Sequence, residues 1–240
     1  MIEQSPILIT GCPRSGTSII ASIINLCGAF GGEMSKRGMY SNDIIHEKIV
    51  KPFISKLSID PKGQYPLSYN ESLQIPVNWK NSIEKAIIDQ KYKYGQWMYK
   101  DALSSIIWPV WNYAFPNAKW IIVRRRTGDI IQSCLKTNYM CAFDNKENQK
   151  AIGVYTEKDG WLWWVHEYEK RFVEMIESGV NCKQIWPERM ATGDYSQIYE
   201  MLDWLGLKWD KHIPEITTPL FDHSLQRYRR EPNNKGTFTL

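Results

Sequence analysis

Eight consecutive residues near the start of the chain, Gly11-Cys12-Pro13-Arg14-Ser15-Gly16-Thr17-Ser18, have the make-up of an anion cradle. They lie between an apolar run, Ile7-Leu8-Ile9-Thr10, and a helical pattern from Ile19 to Leu26. A strand, a glycine-bounded loop and a helix N-terminus in that order aim backbone N–H groups and the positive end of a helix dipole at one point. A glycine, four residues and a second glycine also open the P-loop of nucleotidases. The next position there is a lysine that reaches the β- and γ-phosphates, and in this chain it is Thr17. The cation of the loop is Arg14. The loop suits phosphates but lacks the triphosphate lysine.

A second group follows Phe115-Pro116-Asn117-Ala118-Lys119: an apolar strand pattern, then Arg124-Arg125-Arg126-Thr127-Gly128-Asp129 and Ser133. An arginine fork at the carboxyl end of a strand and a hydroxyl on the following helix can converge on one phosphate. The eight-residue spacing to Ser133 favours Arg125, with Arg124 and Arg126 left open. A basic surface turn or a nucleic-acid contact is the competing reading of three arginines. Three more segments carry groups that could move protons or neutralise charge: Gly31-Gly32-Glu33, Tyr99-Lys100-Asp101, and His46 with Glu47 on a helical pattern.

Pro13-Arg14-Ser15-Gly16-Thr17 resembles the Pro-Lys/Arg-Ser-Gly-Thr phosphosulfate loop of sulfotransferases. The Phe-Pro-x-Ala-Lys turn, the strand-end arginine and the serine resemble the family's 3′-phosphate site, although Arg126-Thr127 stands where Asn/Asp-Pro is usual. Gly31-Gly32-Glu33, nineteen residues after Arg14, is similar to the Gly-Glu segment of tyrosylprotein and carbohydrate sulfotransferases, whose Glu is the catalytic base. Tyr99-Lys100-Asp101 resembles the element whose Lys assists at the transferred group. Glu188-Arg189-Met190 and Met201 to Leu207 resemble the family's Tyr-Glu-x-Leu and Phe-Leu-Gly segments, with Pro187 in place of the Tyr. The likeness runs from 7 to 207 in the family's order, and the segments 40–95 and 139–180, where acceptor specificity is expected, match nothing specific.

This resemblance, to bacterial sulfotransferases among others, implies a three-layer, P-loop-like α/β fold with a mainly parallel sheet. The donor it implies is 3′-phosphoadenosine 5′-phosphosulfate (PAPS), the product adenosine 3′,5′-bisphosphate, and the acceptor a hydroxyl or amine of unread class, with no metal. Arg14, Ser15, Gly16, Thr17, Ser18, Arg125 and Ser133 would then hold the nucleotide. Glu33, Lys100 and Arg14 would be catalytic, Glu33 as base, with His46 and Glu47 as rival bases. A P-loop kinase fits such a fold but not Thr17, and a non-catalytic nucleotide- or nucleic-acid-binding module remains the third reading.

The elements that must position these groups follow from pattern. The 240 residues, 43% hydrophobic and 23% charged, read as one soluble domain over 1–240. No apolar run reaches membrane length and no signal peptide is evident, so a cytoplasmic protein without a membrane span is expected. A net charge of +4 argues for no polyanionic partner, although Arg227, Arg229 and Arg230 are a local concentration. Five scattered cysteines without zinc spacing read as thiols, and most of the eleven tryptophans as core. Helices are expected over about 42–57, 79–91, 102–115, 128–138 and 157–178, the last stopped by Gly179, and one capped by Asp194 and ending at Leu205-Gly206. Strands are expected at 96–99, 118–123 and 183–186 beside the first, with 58–78 irregular and 139–156 a patternless mobile loop. Strands alternating with helices mean α/β.

Overall fold

The apolar run after Pro6 becomes the first strand of a computed structural model that describes residues 2–34, 40–67, 73–209, 212–215 and 217. The elements in chain order are β1 (Ile7–Gly11), α1 (Thr17–Leu26), α2 (Asp43–Ile45), α3 (Lys51–Lys56), α4 (Trp79–Asp89), β2 (Met98–Lys100), α5 (Trp108–Ala114), β3 (Lys119–Val123), α6 (Thr127–Leu135), α7 (Lys146–Ala151), α8 (Glu157–Glu177), β4 (Cys182–Ile185) and α9 (Ser196–Leu205). A π-helical turn, His46–Val50, joins α2 to α3. The strands form one parallel sheet in the order β2-β1-β3-β4, with Ile9 opposite both Lys100 and Ile121.

Side chains alternate across a strand, and here the alternation builds two cores. Leu8, Tyr99, Trp120 and Ile122 face Trp111 of α5 and Val165, Tyr168 and Phe172 of α8. Ile7, Ile9, Met98, Ile121 and Val123 face Ile20 and Ile24 of α1 and Met201, Leu202 and Leu205 of α9. Helices therefore cover both faces, which is why a continuous apolar run such as Trp120 to Val123 is fully buried. This is the three-layer α/β arrangement expected.

Several local expectations change. The 102–115 helix is a 3-10 turn, Ala102–Ser105, followed by α5, because Pro109 starts a new first turn. Asp194 is one residue too early to cap α9; its carboxylate instead accepts the Ser196 N–H and hydroxyl and pairs with Arg189. The segment 139–156 is packed and partly helical rather than a patternless loop. Gln64 accepts the Cys141 and Ala142 N–H groups at 3.0 and 3.1 Å and donates to the Tyr139 carbonyl at 2.8 Å. Phe143 then seats against Gly160 of α8, where an added Cβ would meet its ring at 2.5 Å.

Gly179 follows α8 with φ 74, as expected of a helix-ending glycine. Trp79, Trp97, Trp111, Trp120, Trp161 and Trp164 are core. Among the described residues no helix is long and apolar enough to cross a membrane. Arg227, Arg229 and Arg230, and residues 68–72 of the irregular segment, lie outside the described residues.

Candidate functional site

Gly11 closes β1 opposite Val123, and a Cβ there would lie 2.4 Å from the Val123 carbonyl and 2.8 Å from Ser15 Oγ. Its bare backbone lets the loop fold back over the strand end. The Ser15 N–H donates to the Cys12 carbonyl at 3.0 Å, and Arg14 (φ 75) and Gly16 (φ 98) turn through the left-handed region. Gly16 occupies the cap of α1 without any side-chain cap. The Ile19 N–H, bonded to the Gly16 carbonyl at 3.0 Å, opens the helix ladder, so the amides of Gly16, Thr17 and Ser18 come before it. Ser15 Oγ is buried and has no hydrogen-bond partner among the described residues. Such a hydroxyl costs about 1–3 kcal/mol if left unmet, so the loop has the donors an anion needs. The Pro187 ring packs on Gly16, since an added Cβ there would meet it at 3.2 Å.

The three arginines after β3 go three ways. Arg124 pairs with Glu169 and donates to Gln184 at 2.7 Å, its guanidinium lying over the Trp186 ring. Arg126 is 77% exposed and pairs with Asp129 at 2.9 Å. Arg125 turns back to the loop, donating to the Arg14 carbonyl at 3.1 Å. Arg14 in turn donates through Nε to Ser133 Oγ on α6 at 2.9 Å. The structure thus brings together Arg14, Arg125 and Ser133, residues that the sequence offered separately, and spends Arg124 and Arg126 on other partners.

On the other side of β1, Lys100 ends β2 and is buried. The next backbone N–H, of Asp101, donates to the Ile9 carbonyl at 3.0 Å, which sets Asp101 one strand away from the start of the loop. Its buried carboxylate accepts the Tyr99 hydroxyl at 2.7 Å and the Leu103 N–H at 3.0 Å, and meets His46 Nδ1 at 2.7 Å. Burial pulls the His46 pKa down, but the charge and hydrogen bond of Asp101 outweigh it and leave the pKa raised. For Asp101, burial pushes up and is outweighed by His46, Tyr99 and the Leu103 amide, so its pKa is lowered. Sequence reasoning missed this arrangement: it singled out His46, but no spacing signal ties it to a residue 55 positions away.

Glu33 follows a short parallel bridge to the residue before β2. Phe30 bridges Trp97 in parallel, and Glu33 lies as far past Phe30 as Lys100 lies past Trp97. Its N–H donates to Gln90 Oε1 at 2.6 Å and its carbonyl accepts from Asp43 at 3.3 Å, while its side chain is exposed. Asn42 donates to the same Gln90 oxygen at 3.0 Å. A Cβ on Gly32 (φ 72) would fall 2.3 Å from both amide side chains, so glycine is needed for this approach. Among the described residues no group of three His, Cys, Asp or Glu side chains is arranged to hold a metal ion.

No protein-family model matches the sequence, and no curated protein does. Solved structures do. Sulfotransferase STF9 from Mycobacterium avium aligns with TM-score 0.54 over 94% of this chain and 72% of that chain, at 11% identity. Sulfotransferase STF1 from Mycobacterium tuberculosis aligns with TM-score 0.50 over 95% and 75%, at 13% identity. A sulfotransferase from Alicyclobacillus acidocaldarius aligns with TM-score 0.50 over 94% of both chains, at 12% identity. The parallel sheet flanked by helices is therefore a fold shared with three bacterial sulfotransferases.

Proposed function

We propose that this chain, as one domain, moves the sulfuryl group of PAPS to an acceptor hydroxyl or amine. The observation that carries this reading is the joining of Arg14 to Ser133 and of Arg125 to the Arg14 carbonyl, at 2.9 and 3.1 Å. Two anion sites are thereby assigned to this end of the sheet: the loop for the phosphosulfate, and Arg125 and Ser133 beside it for the 3′-phosphate. The acceptor atom attacks sulfur as the bond from sulfur to the 5′-phosphate oxygen breaks, and adenosine 3′,5′-bisphosphate leaves. Such a loose transfer asks for alignment and charge stabilisation. Arg14, Lys100, the Ser15 hydroxyl and the amides of Gly16 to Ser18 supply the charge and the donors. Glu33 and His46 are the two candidate acceptors for the proton.

The test is a pair of melts. Adenosine 3′,5′-bisphosphate at 100 times its Kd should stabilise the chain by about 2.7 kcal/mol, and ATP-Mg²⁺ at equal concentration much less. Stronger protection by ATP would instead favour the phosphotransferase reading.

The two anion sites should also separate by ligand. Arg125→Ala and Ser133→Ala should each weaken the bisphosphate by roughly 1.5–3 kcal/mol and adenosine 5′-phosphate clearly less, since the first loses its 3′-phosphate contact and the second only the support these residues give to Arg14. Calorimetric titration of both ligands checks this. Equal losses for the two would remove the 3′ assignment.

A further inference from the structure

Resting on the sulfuryl-transfer reading, we propose that His46 is the general base, accepting the acceptor's proton at Nε2 while Asp101 and Tyr99 position its ring. Asp101 makes a 2.7 Å contact with Nδ1, and an ionised carboxylate can only accept, so Nδ1 carries the proton and Nε2 keeps the lone pair when the ring is neutral. The carboxylate is itself fixed from two further directions, by the Tyr99 hydroxyl at 2.7 Å and the Leu103 N–H at 3.0 Å. A base held by an oriented partner, which is held in turn, is the arrangement that proton abstraction needs.

The ring is also in the right place. Asp101 and Lys100 follow each other at the end of β2, beside Ile9 and the start of the anion loop. The group proposed to steady the transferred sulfuryl and the residue that orients the base are thus consecutive. His46 sits at the start of the π-helical turn, where the extra residue per turn re-aims side chains relative to an ordinary helix. The His46 side chain is 21% exposed against 7% for Asp101, and its Nδ1 is the atom turned to the buried carboxylate. Glu47 Oε1 is 4.0 Å from Nε2, beyond hydrogen-bond length, and is instead bonded to Lys51 at 2.6 Å.

In the step, the acceptor's O–H or N–H proton passes to His46 Nε2 and the freed electron pair forms the new bond to sulfur. The pair of the breaking sulfur–oxygen bond stays on the 5′-phosphate. Electrons and atoms balance with donor, acceptor and ring alone.

The charged groups acting on the ring are Asp101 from the strand end, Glu47 from its own helical turn and Lys51 from the start of α3; Tyr99 and the Leu103 amide act on Asp101. Because Asp101 raises the His46 pKa, turnover should climb with unit slope to a midpoint above the ordinary histidine value of about 6.5 and then level. Asp101→Asn should move that midpoint down and lower the plateau.

The experiment follows label from ³⁵S-PAPS to 4-nitrophenol, to a tyrosine-containing peptide, to glucosamine and to water, with bisphosphate affinity and melting measured on every variant. His46→Gln should lose roughly 10²- to 10⁴-fold in turnover at unchanged bisphosphate affinity. Tyr99→Phe should shift the pH midpoint while keeping most of the turnover. The proposal is overturned if His46→Gln keeps pace with the native chain, if Glu33→Gln alone removes turnover, or if the native midpoint lies in the carboxylate range near about 4. Should His46→Gln fail to fold, the native and Asp101→Asn pH profiles decide. A native chain that binds the bisphosphate but transfers label to none of the four, water included, overturns the base. One that neither binds nor transfers overturns the sulfuryl-transfer reading itself.

Discussion

Lys100→Met should lower turnover by about 10²- to 10³-fold, with the bisphosphate still bound. Lys100 is buried at the carboxyl end of β2, opposite Ile9 and one residue before Asp101. Methionine keeps an unbranched apolar stem of similar reach, so the contacts of the lysine stem are retained while the charge and its hydrogen-bond donors are removed. In a water-poor edge a fixed positive charge acts on the charge that develops during transfer, and one such group lowers the barrier by roughly 2.7–4 kcal/mol. Steady-state turnover of ³⁵S label, measured beside bisphosphate titration, checks it. If turnover stays within about threefold of native, Lys100 is a structural strand-end residue and has no part in the chemistry.

Gly11→Ala should damage stability and binding together. The new methyl group would lie 2.4 Å from the Val123 carbonyl, which is backbone of the neighbouring strand, and 2.9 Å from Thr17 Cγ2. Relief requires β1 and β3 to separate at their last paired residues, or the loop to lift away from the strand. Overpacking of this kind costs about 1–3 kcal/mol, which in a chain of this size lowers the melting midpoint by roughly 2–12 °C. Because Ser15 and Thr17 are the displaced atoms, the bisphosphate should also lose most of its affinity. Gly128→Ala is the control: its Cβ would meet nothing within 4 Å and it lies in the first turn of α6, where alanine is tolerated. A Gly11→Ala chain that melts and binds like the native one would mean that the strand end yields without cost.

The resemblance read at Pro13 to Thr17 was legible because a phosphate loop is a local device: its glycines, its cation and the helix that follows are contiguous. The same holds for the strand-end arginines and Ser133, eight residues apart on consecutive elements. Spacing to Ser133 favoured Arg125 but left Arg124 and Arg126 open. That choice depends on Glu169 and Gln184, from α8 and β4, which draw Arg124 aside, and on Asp129, which holds Arg126.

The segment 139–156 shows the same limit in packing. Its polar composition reads as a loop, but one ring, Phe143, reaches the surface left bare by Gly160, and one side chain, Gln64, collects its backbone groups. A single anchor makes no period, so no window along the chain reveals it.

By itself, then, the sequence determined the layer order, through apolar runs that only a sheet covered on both faces can bury, and the anion loop, through glycines adjacent in the chain. The tertiary structure decided which arginine turns to that loop and that His46 meets Asp101, because both rest on contacts between segments far apart in sequence, whose meeting is set by how β1, β2 and β3 stack side by side.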